Sequence, residues 1–210
     1  MKFIIIGRQG AGKSTFGAFL AEELGTKATD TSQWLVDVEK ARQKALMERY
    51  GITPWMARGM PPKPNNPDGT LDLTEEFDMS YGWDDVRNRP ARELLVALGD
   101  AVNSVGNTFL VDRCFDKGDI AVGVRRRNEL VEIRKAYHNV VVVFIDRDAG
   151  GEQAKDNFEL TAEDANVIVR AKTIAGAKQC AAFVANLTRG IGRPLYESRG
   201  VIVTDELHAP

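Results

Sequence analysis

A chain of 210 residues, 43% of them hydrophobic, is long enough for one folded domain with an inserted arm or lid and too apolar for global disorder. Its net charge of -2 and pI of about 5.8 argue against a protein that grips nucleic acid over its whole surface, though not against a local basic patch. The two cysteines, Cys114 and Cys180, form neither a disulfide framework nor a metal spacing, and no apolar run approaches the ~20 residues that cross a membrane.

In chain order, residues 2–6 read as a strand built on Phe3-Ile4-Ile5-Ile6. Met1-Lys2 leads straight into it without the anatomy of a secretory signal, so a soluble cytoplasmic protein is expected. Next comes Gly7-Arg8-Gln9-Gly10-Ala11-Gly12-Lys13-Ser14-Thr15, with the spacing G-x-x-x-x-G-K-S. Phe16, Phe19, Leu20 and Leu24 follow at helical spacing, closed by Gly25. Strand, glycine-rich loop and helix form the context in which this spacing cradles phosphates. Glycines allow positive φ and close approach of backbone to ligand. The loop amides form an anion-binding nest, and the helix adds the positive end of its dipole. The residues expected to hold a nucleoside triphosphate are Gly7, Gly10, Ala11, Gly12, Lys13, Ser14 and Thr15. Lys13 would reach the terminal phosphates, and Ser14 would offer its hydroxyl to Mg²⁺. Arg8 and Gln9 lie at the tip, where an acceptor would approach; they either contact the transferred phosphate or are simply exposed.

Residues 26–29 read as a second strand, ending at Asp30-Thr31-Ser32, any of which could cap the next helix. That helix, over residues 33–50, places Trp34, Leu35, Val38, Ala41, Ala45 and Leu46 on one face. From 52 to 83 the pattern dissolves into a loop containing Met60-Pro61-Pro62-Lys63-Pro64, either a mobile segment near a site or a surface excursion. A helix over 84–105 carries Arg87, Arg89 and Arg92 and is interrupted by Pro90. The apolar run 108–111 is either a helix end or a short strand. Residues 119–124 read as a buried strand running into Arg125-Arg126-Arg127, followed by a helix over 128–136. The run 140–145 is continuously apolar, as a central parallel strand requires, and ends in Asp146-Arg147-Asp148. A lid-like polar segment over 147–163 runs into a capped helical turn over 160–164, then a fifth strand at 167–169 and a last helix over 173–187. Residues 200–204 could add an edge strand.

Strands that alternate with helices predict an α/β fold: one domain over residues 1–210 with a parallel five-stranded sheet covered by helices on both faces. Ligands of such sheets sit at the carboxyl ends of the strands. The polar residues cluster there: the glycine-rich loop, Asp30, Arg125-Arg126 and Asp146-Arg147. Phosphoryl transfer needs positive charge where negative charge develops, and arginine supplies bidentate phosphate contacts. Arg125 and Arg126 are the candidates at a strand end, and Arg87 and Arg92 are candidates for an acceptor phosphate. Asp30 is the best-placed carboxylate to take an acceptor's proton, with helix capping as its other reading. Asp146 is a metal-side carboxylate or a strand terminator, and Glu129 a partner of a nearby arginine.

The loop, Arg92-Glu93-Leu94-Leu95, Leu98-Gly99-Asp100, Val124-Arg125-Arg126-Arg127-Asn128-Glu129 and Asp156-Asn157-Phe158-Glu159-Leu160 together resemble the deoxynucleoside monophosphate kinases of bacteriophages, over about residues 1–188. The resemblance implies a P-loop NTPase fold of nucleotide-kinase type, ATP and Mg²⁺, and transfer of the γ-phosphoryl group to a deoxynucleoside monophosphate. It carries Lys13 and Ser14 over as donor-site residues and Arg125 as a phosphate-binding arginine. The lack of a long apolar run leads us to expect no membrane partner, and a homodimer is compatible with the sequence. The family pattern places an aspartate before the Val-Arg pair, where this chain has Gly123; Asp119, Asp146 or Asp30 would have to take its place. Two alternatives stay open: a phage kinase that phosphorylates 5-hydroxymethyluracil within DNA, the one reading with a nucleic-acid partner, and an ATPase module without an acceptor.

Overall fold

The computed structural model describes residues 1–50, 89–147, 158–190 and 195–205. Six strands form one sheet: β1 (Lys2–Gly7), β2 (Ala28–Asp30), β3 (Ile120–Val122), β4 (Val140–Ile145), β5 (Val167–Arg170) and β6 (Val201–Thr204). Their order is β2-β3-β1-β4-β5-β6, and every neighbouring pair is parallel. The five-stranded expectation is corrected by β6. After Gly200 (φ 64) the chain turns and pairs Val201 with Val167 through to Thr204 with Arg170. A four-residue run at the end of the chain is too short to decide between strand and tail on its own; an open edge beside β5 decides it.

The helices are α1 (Lys13–Leu24), α2 (Thr31–Tyr50), α3 (Arg89–Val105), α4 (Phe109–Phe115), α5 (Arg127–Ala136) and α6 (Ile174–Arg189). The undecided run at 108–111 is therefore the start of helix α4. The chain divides into two compact units, Met1–Thr31 with Val102–Pro210, and Ser32–Ala101. The first holds the whole sheet. In the second, Leu35 and Val36 are buried and the Cβ that Gly99 lacks would meet Leu35 Cδ1 at 3.5 Å. No described helix is long and apolar enough to cross a membrane.

Successive residues of a strand face opposite sides, and the central strands are apolar at every position because both sides are covered. Phe3 and Ile5 of β1 join Val141 and Val143 of β4 under Phe16 and Leu20 of α1 and Ala181 and Val184 of α6. Ile4 and Ile6 join Val142 and Phe144 beneath Val111 of α4 and Leu130 and Ile133 of α5. Ile4, Ile5 and Ile6 are wholly buried, each contributing about 2 kcal/mol of hydrophobic stabilisation.

The buried Asn166, just before β5, shows how the sheet edge is closed. Its Oδ1 accepts from Val142 N at 2.8 Å, and its Nδ2 donates to the Tyr196 and Ser198 carbonyls at 3.0 and 2.7 Å. One amide thus completes the β4 ladder and pins the turn that leads into β6.

Candidate functional site

β1 leads through α1, on one layer, to β2 at the far edge. β3 leads through α5, on the other layer, past β1 to β4. Connections that leave neighbouring strands in opposite directions open a crevice at their carboxyl ends. The loop from Gly7 to Gly12 begins in that crevice.

The loop has the backbone that its glycines allow. Gly7, Gly10 and Gly12 have φ of 147, 75 and 92°, while no described residue other than glycine has positive φ. A Cβ at Gly7 would stand 2.8 Å from the Ile145 carbonyl, so the close approach of β1 to the end of β4 requires glycine there. Gly12 caps α1 in the left-handed conformation, and a Cβ there would meet nothing within 4 Å. Open space thus lies beside the amino end of a twelve-residue helix, whose dipole favours negative charge there. Ala11 is buried and its N–H donates to the Arg8 carbonyl at 3.3 Å. Lys13 Nζ donates to the same carbonyl at 2.7 Å, so its ammonium lies against the loop itself. Arg8, Ser14 and Thr15 are exposed, and Gln9 is half-buried.

Asp30 is the last residue of β2 and is half-buried. Its Oδ2 accepts the Ser14 hydroxyl at 3.3 Å. Beside it, Gly123 has φ 104°, and a Cβ there would lie 2.9 Å from Thr31 Oγ1 and 3.4 Å from Asp30 Oδ1. The Thr31 hydroxyl therefore stands in the space that a Cβ at position 123 would enter, with the Asp30 carboxylate in contact beyond it. The other two carboxylates considered for this place do not share it. Asp119 precedes β3 at the opposite end of the sheet, where it holds Lys2 Nζ at 2.9 Å and the Thr26 hydroxyl at 3.3 Å; the Lys2 hydrogen bond keeps its carboxyl below the usual range. Asp146 is paired with Arg170 Nε at 2.8 Å. Among the described residues no cluster of three His, Cys, Asp or Glu side chains is arranged to hold a metal. A hydroxyl backed by one carboxylate suits Mg²⁺ of the kind that keeps water and phosphate as most of its ligands.

Arg125 and Arg126, both half-buried, form the turn between β3 and α5. Glu129, only 3% exposed, lies beneath it. Glu129 Oε2 accepts from Arg125 N at 3.4 Å, and the Arg126 N–H donates to the same carboxyl group. Burial pushes this carboxyl up to about 7, against the pull of those two N–H groups and of the two guanidinium charges. From the other side, Glu159 Oε2 accepts from Arg127 N at 3.1 Å, and Glu159 N donates to the Arg125 carbonyl at 3.0 Å. Thr161 and Asp164 close a capping box on a 3₁₀ turn, as the sequence suggests, and Asp164 pairs with Arg127 at 3.1 Å.

Arg87 lies outside the described residues, as does the side chain of Arg92, whose backbone belongs to α3 in the second unit; most of the lid-like segment, 148–157, and the whole 52–83 excursion are also outside them. Sequence reasoning missed a cavity of about 520 Å³ at the carboxyl ends of β4, β5 and β6, lined by Asp146, Arg147, Arg170, Lys172 and Asp205 among others. Its signal is Arg170-Ala171-Lys172, a charged strand end that lines a cavity only because β6 pairs alongside β5.

No protein-family model and no curated protein matches this chain. Among solved structures, an unliganded sugar kinase from Janibacter sp. is similar at 16% identity, over 96% of this chain and 83% of that chain, with a TM-score of 0.29, a likeness too slight to bear on the chemistry.

Proposed function

We propose that this protein is an ATP-dependent phosphotransferase whose acceptor is a deoxynucleoside monophosphate. The observation that carries the reading is the Gly7–Gly12 loop, with three positive-φ glycines opening onto the α1 terminus and Ser14 held by Asp30. The donor's β- and γ-phosphates lie along the loop amides, within reach of Lys13 once its ammonium leaves the Arg8 carbonyl. The nucleoside lies toward the cavity at β4–β6, which opens on the same edge of the sheet and falls in the size range of small-molecule pockets.

Ser14 is the residue that would hold Mg²⁺, whose chemistry is to neutralise charge on the phosphate oxygens. The Ser14 hydroxyl donates to Asp30, which turns its oxygen lone pairs outward and adds a compensating negative charge. Phosphoryl transfer through a loose transition state asks little of a base, so Asp30 is assigned to orienting Ser14 rather than to taking the acceptor's proton. Arg125 and Arg126, at the end of the strand beside β1, supply positive charge to the phosphate in transfer or to the acceptor phosphate. The deoxynucleotide acceptor itself rests on the resemblance of the Val124–Glu129 and Asp156–Leu160 segments, not on geometry.

The test is ADP release by purified protein with ATP and Mg²⁺, with each deoxynucleoside monophosphate and with hydroxymethyluracil-containing DNA as acceptors. A monophosphate that raises turnover at least tenfold supports the reading. Turnover that no monophosphate changes would sink it, and label entering only the DNA would move the assignment to a DNA base kinase.

A further inference from the structure

Glu129 is the one charged side chain among the described residues that the fold buries almost completely, yet it lies beneath two arginines at a candidate anion site. As the third residue of α5 it reaches back to the N–H groups of Arg125 and Arg126, in the manner of a helix cap. A cap alone asks for no burial. Here the carboxyl group shares a poorly solvated space with the backbone of the very residues that would meet a phosphate.

We propose that Glu129 couples anion binding at the Arg125–Arg126 turn to the uptake of one proton. The proposal rests on that turn being an anion site, as the proposed function has it. The charges around Glu129 fix the sign. Arg125 and Arg126 favour its ionised form. From α4, Cys114 is close enough for the Glu129 charge to act on it, but burial pushes the thiol up to about 12, so it stays neutral. Asp30 and Lys117 act on that same thiol with opposite signs. From the segment after the polar stretch, Glu159 accepts from Arg127 N on the far side of the turn. Val111, Val124, Leu130 and Leu160 make the apolar part of the layer that α4 and α5 form, whose other polar groups include the Tyr137 hydroxyl, donating to Asp112 at 2.6 Å, and Arg134, donating to the Asp164 carbonyl at 2.6 Å. An anion on the guanidinium groups cancels the attraction that keeps Glu129 ionised and adds a like charge, and the carboxylate then takes a proton from bulk water. With Glu129 titrating near neutral pH, the exchange falls in the working range.

The test is carbon-13 NMR of the glutamate carboxyl groups across pH 5 to 9, with Glu129→Gln assigning the resonance. The probe is sodium sulfate, which does not itself titrate in that range, against sodium chloride at equal ionic strength. The Glu129 midpoint is expected near 7 in chloride and about one pH unit higher in sulfate, the effect of a net negative charge several Å away at protein permittivity. In an Arg125→Met, Arg126→Met double variant the midpoint becomes insensitive to sulfate. If the amides of residues 125–127 respond to sulfate while the midpoint stays fixed, the coupling is wrong and the anion site stands. If neither responds, both the coupling and the arginine turn as a phosphate site fall, while amide shifts in residues 8–14 judge the donor loop separately.

Discussion

Replacing Glu129 by glutamine changes how stability depends on pH, and the structure sets both sign and size. The carboxyl group rises from an ordinary 4.5 to about 7 on folding, with burial as the leading cause. Between those two values the folded chain binds more protons than the unfolded one, so this group's contribution to stability falls as pH rises and is fully lost above about 7. At 1.36 kcal/mol for each pH unit, the loss is about 3 kcal/mol. Glutamine keeps the shape and an acceptor oxygen for the Arg125 and Arg126 N–H groups but does not ionise. Below about 7 the parent's carboxyl group is neutral too, so the two side chains then make equivalent hydrogen bonds. The informative quantity is therefore the difference between variant and parent as a function of pH, in which Asp119 and every other shared group cancels. Urea unfolding at half-unit steps from pH 4.5 to 8.5 measures it. The variant is expected to lie within about 1 kcal/mol of the parent at the acid end, where both side chains are neutral, and to gain about 3 kcal/mol on it by pH 8, most of it between pH 5 and 7.5. Two parallel pH–stability curves would refute the reasoning, since they would mean that Glu129 is no more desolvated in the folded chain than in the unfolded one.

Three substitutions probe the rest of the site. Lys13→Ala removes the ammonium beside the Arg8 carbonyl and is expected to lower kcat by about 10²–10³ or more with an unchanged circular dichroism spectrum. Asp30→Asn keeps an acceptor for the Ser14 hydroxyl but removes the charge; the Mg²⁺ concentration for half-maximal turnover should rise about 10–100-fold, with a smaller change in the KM for ATP. Gly123→Asp forces a side chain to within 2.9 Å of Thr31 Oγ1 at a φ of 104° and beside the Asp30 carboxylate. It should destabilise the protein by about 1–3 kcal/mol and depress turnover rather than improve it, as denaturation and steady-state rates would report.

The fold was legible wherever apolar period and punctuation agreed. Phe3 to Ile6 and Val140 to Ile145 are continuous apolar runs because helices cover both faces of the sheet, and they are its two central paired strands. Gly25 ends α1 in the left-handed conformation with its N–H on the Ala21 and Glu22 carbonyls, as a closing glycine does. The points the sequence leaves open have a common cause in tertiary context. Residues 108–111 are short and apolar, which fits strand or helix equally; Phe115 and Cys114, further on, extend them into a helix under the sheet. Val201 to Val203 become a strand only because Val167 to Val169 leave an edge to pair with.

The site divides along a similar line. Local chemistry carried the loop, since the conformations of Gly7, Gly10 and Gly12 follow from residue type and spacing. What spacing could not decide was which of three aspartates stands beside Ser14, because Asp30 reaches it from the end of a different strand, 16 residues on. The register settles it. β2 pairs with β3 so that Asp30 lies opposite Val122, one residue before Gly123. A Cβ on residue 123 would therefore come to 2.9 Å from Thr31 Oγ1 and to 3.4 Å from Asp30 Oδ1, and the chain carries no side chain there. Glycine at 123 thus leaves room for the Thr31 hydroxyl and for the Asp30 carboxylate that accepts from Ser14. On this argument Gly123 and Asp30 are a coupled pair. Adding Asp30→Gly to Gly123→Asp removes the carboxylate 3.4 Å from the new Cβ but leaves Thr31 Oγ1 at 2.9 Å and the φ strain at residue 123, so the double variant is expected to recover only part of the stability the single change loses, as urea denaturation would measure.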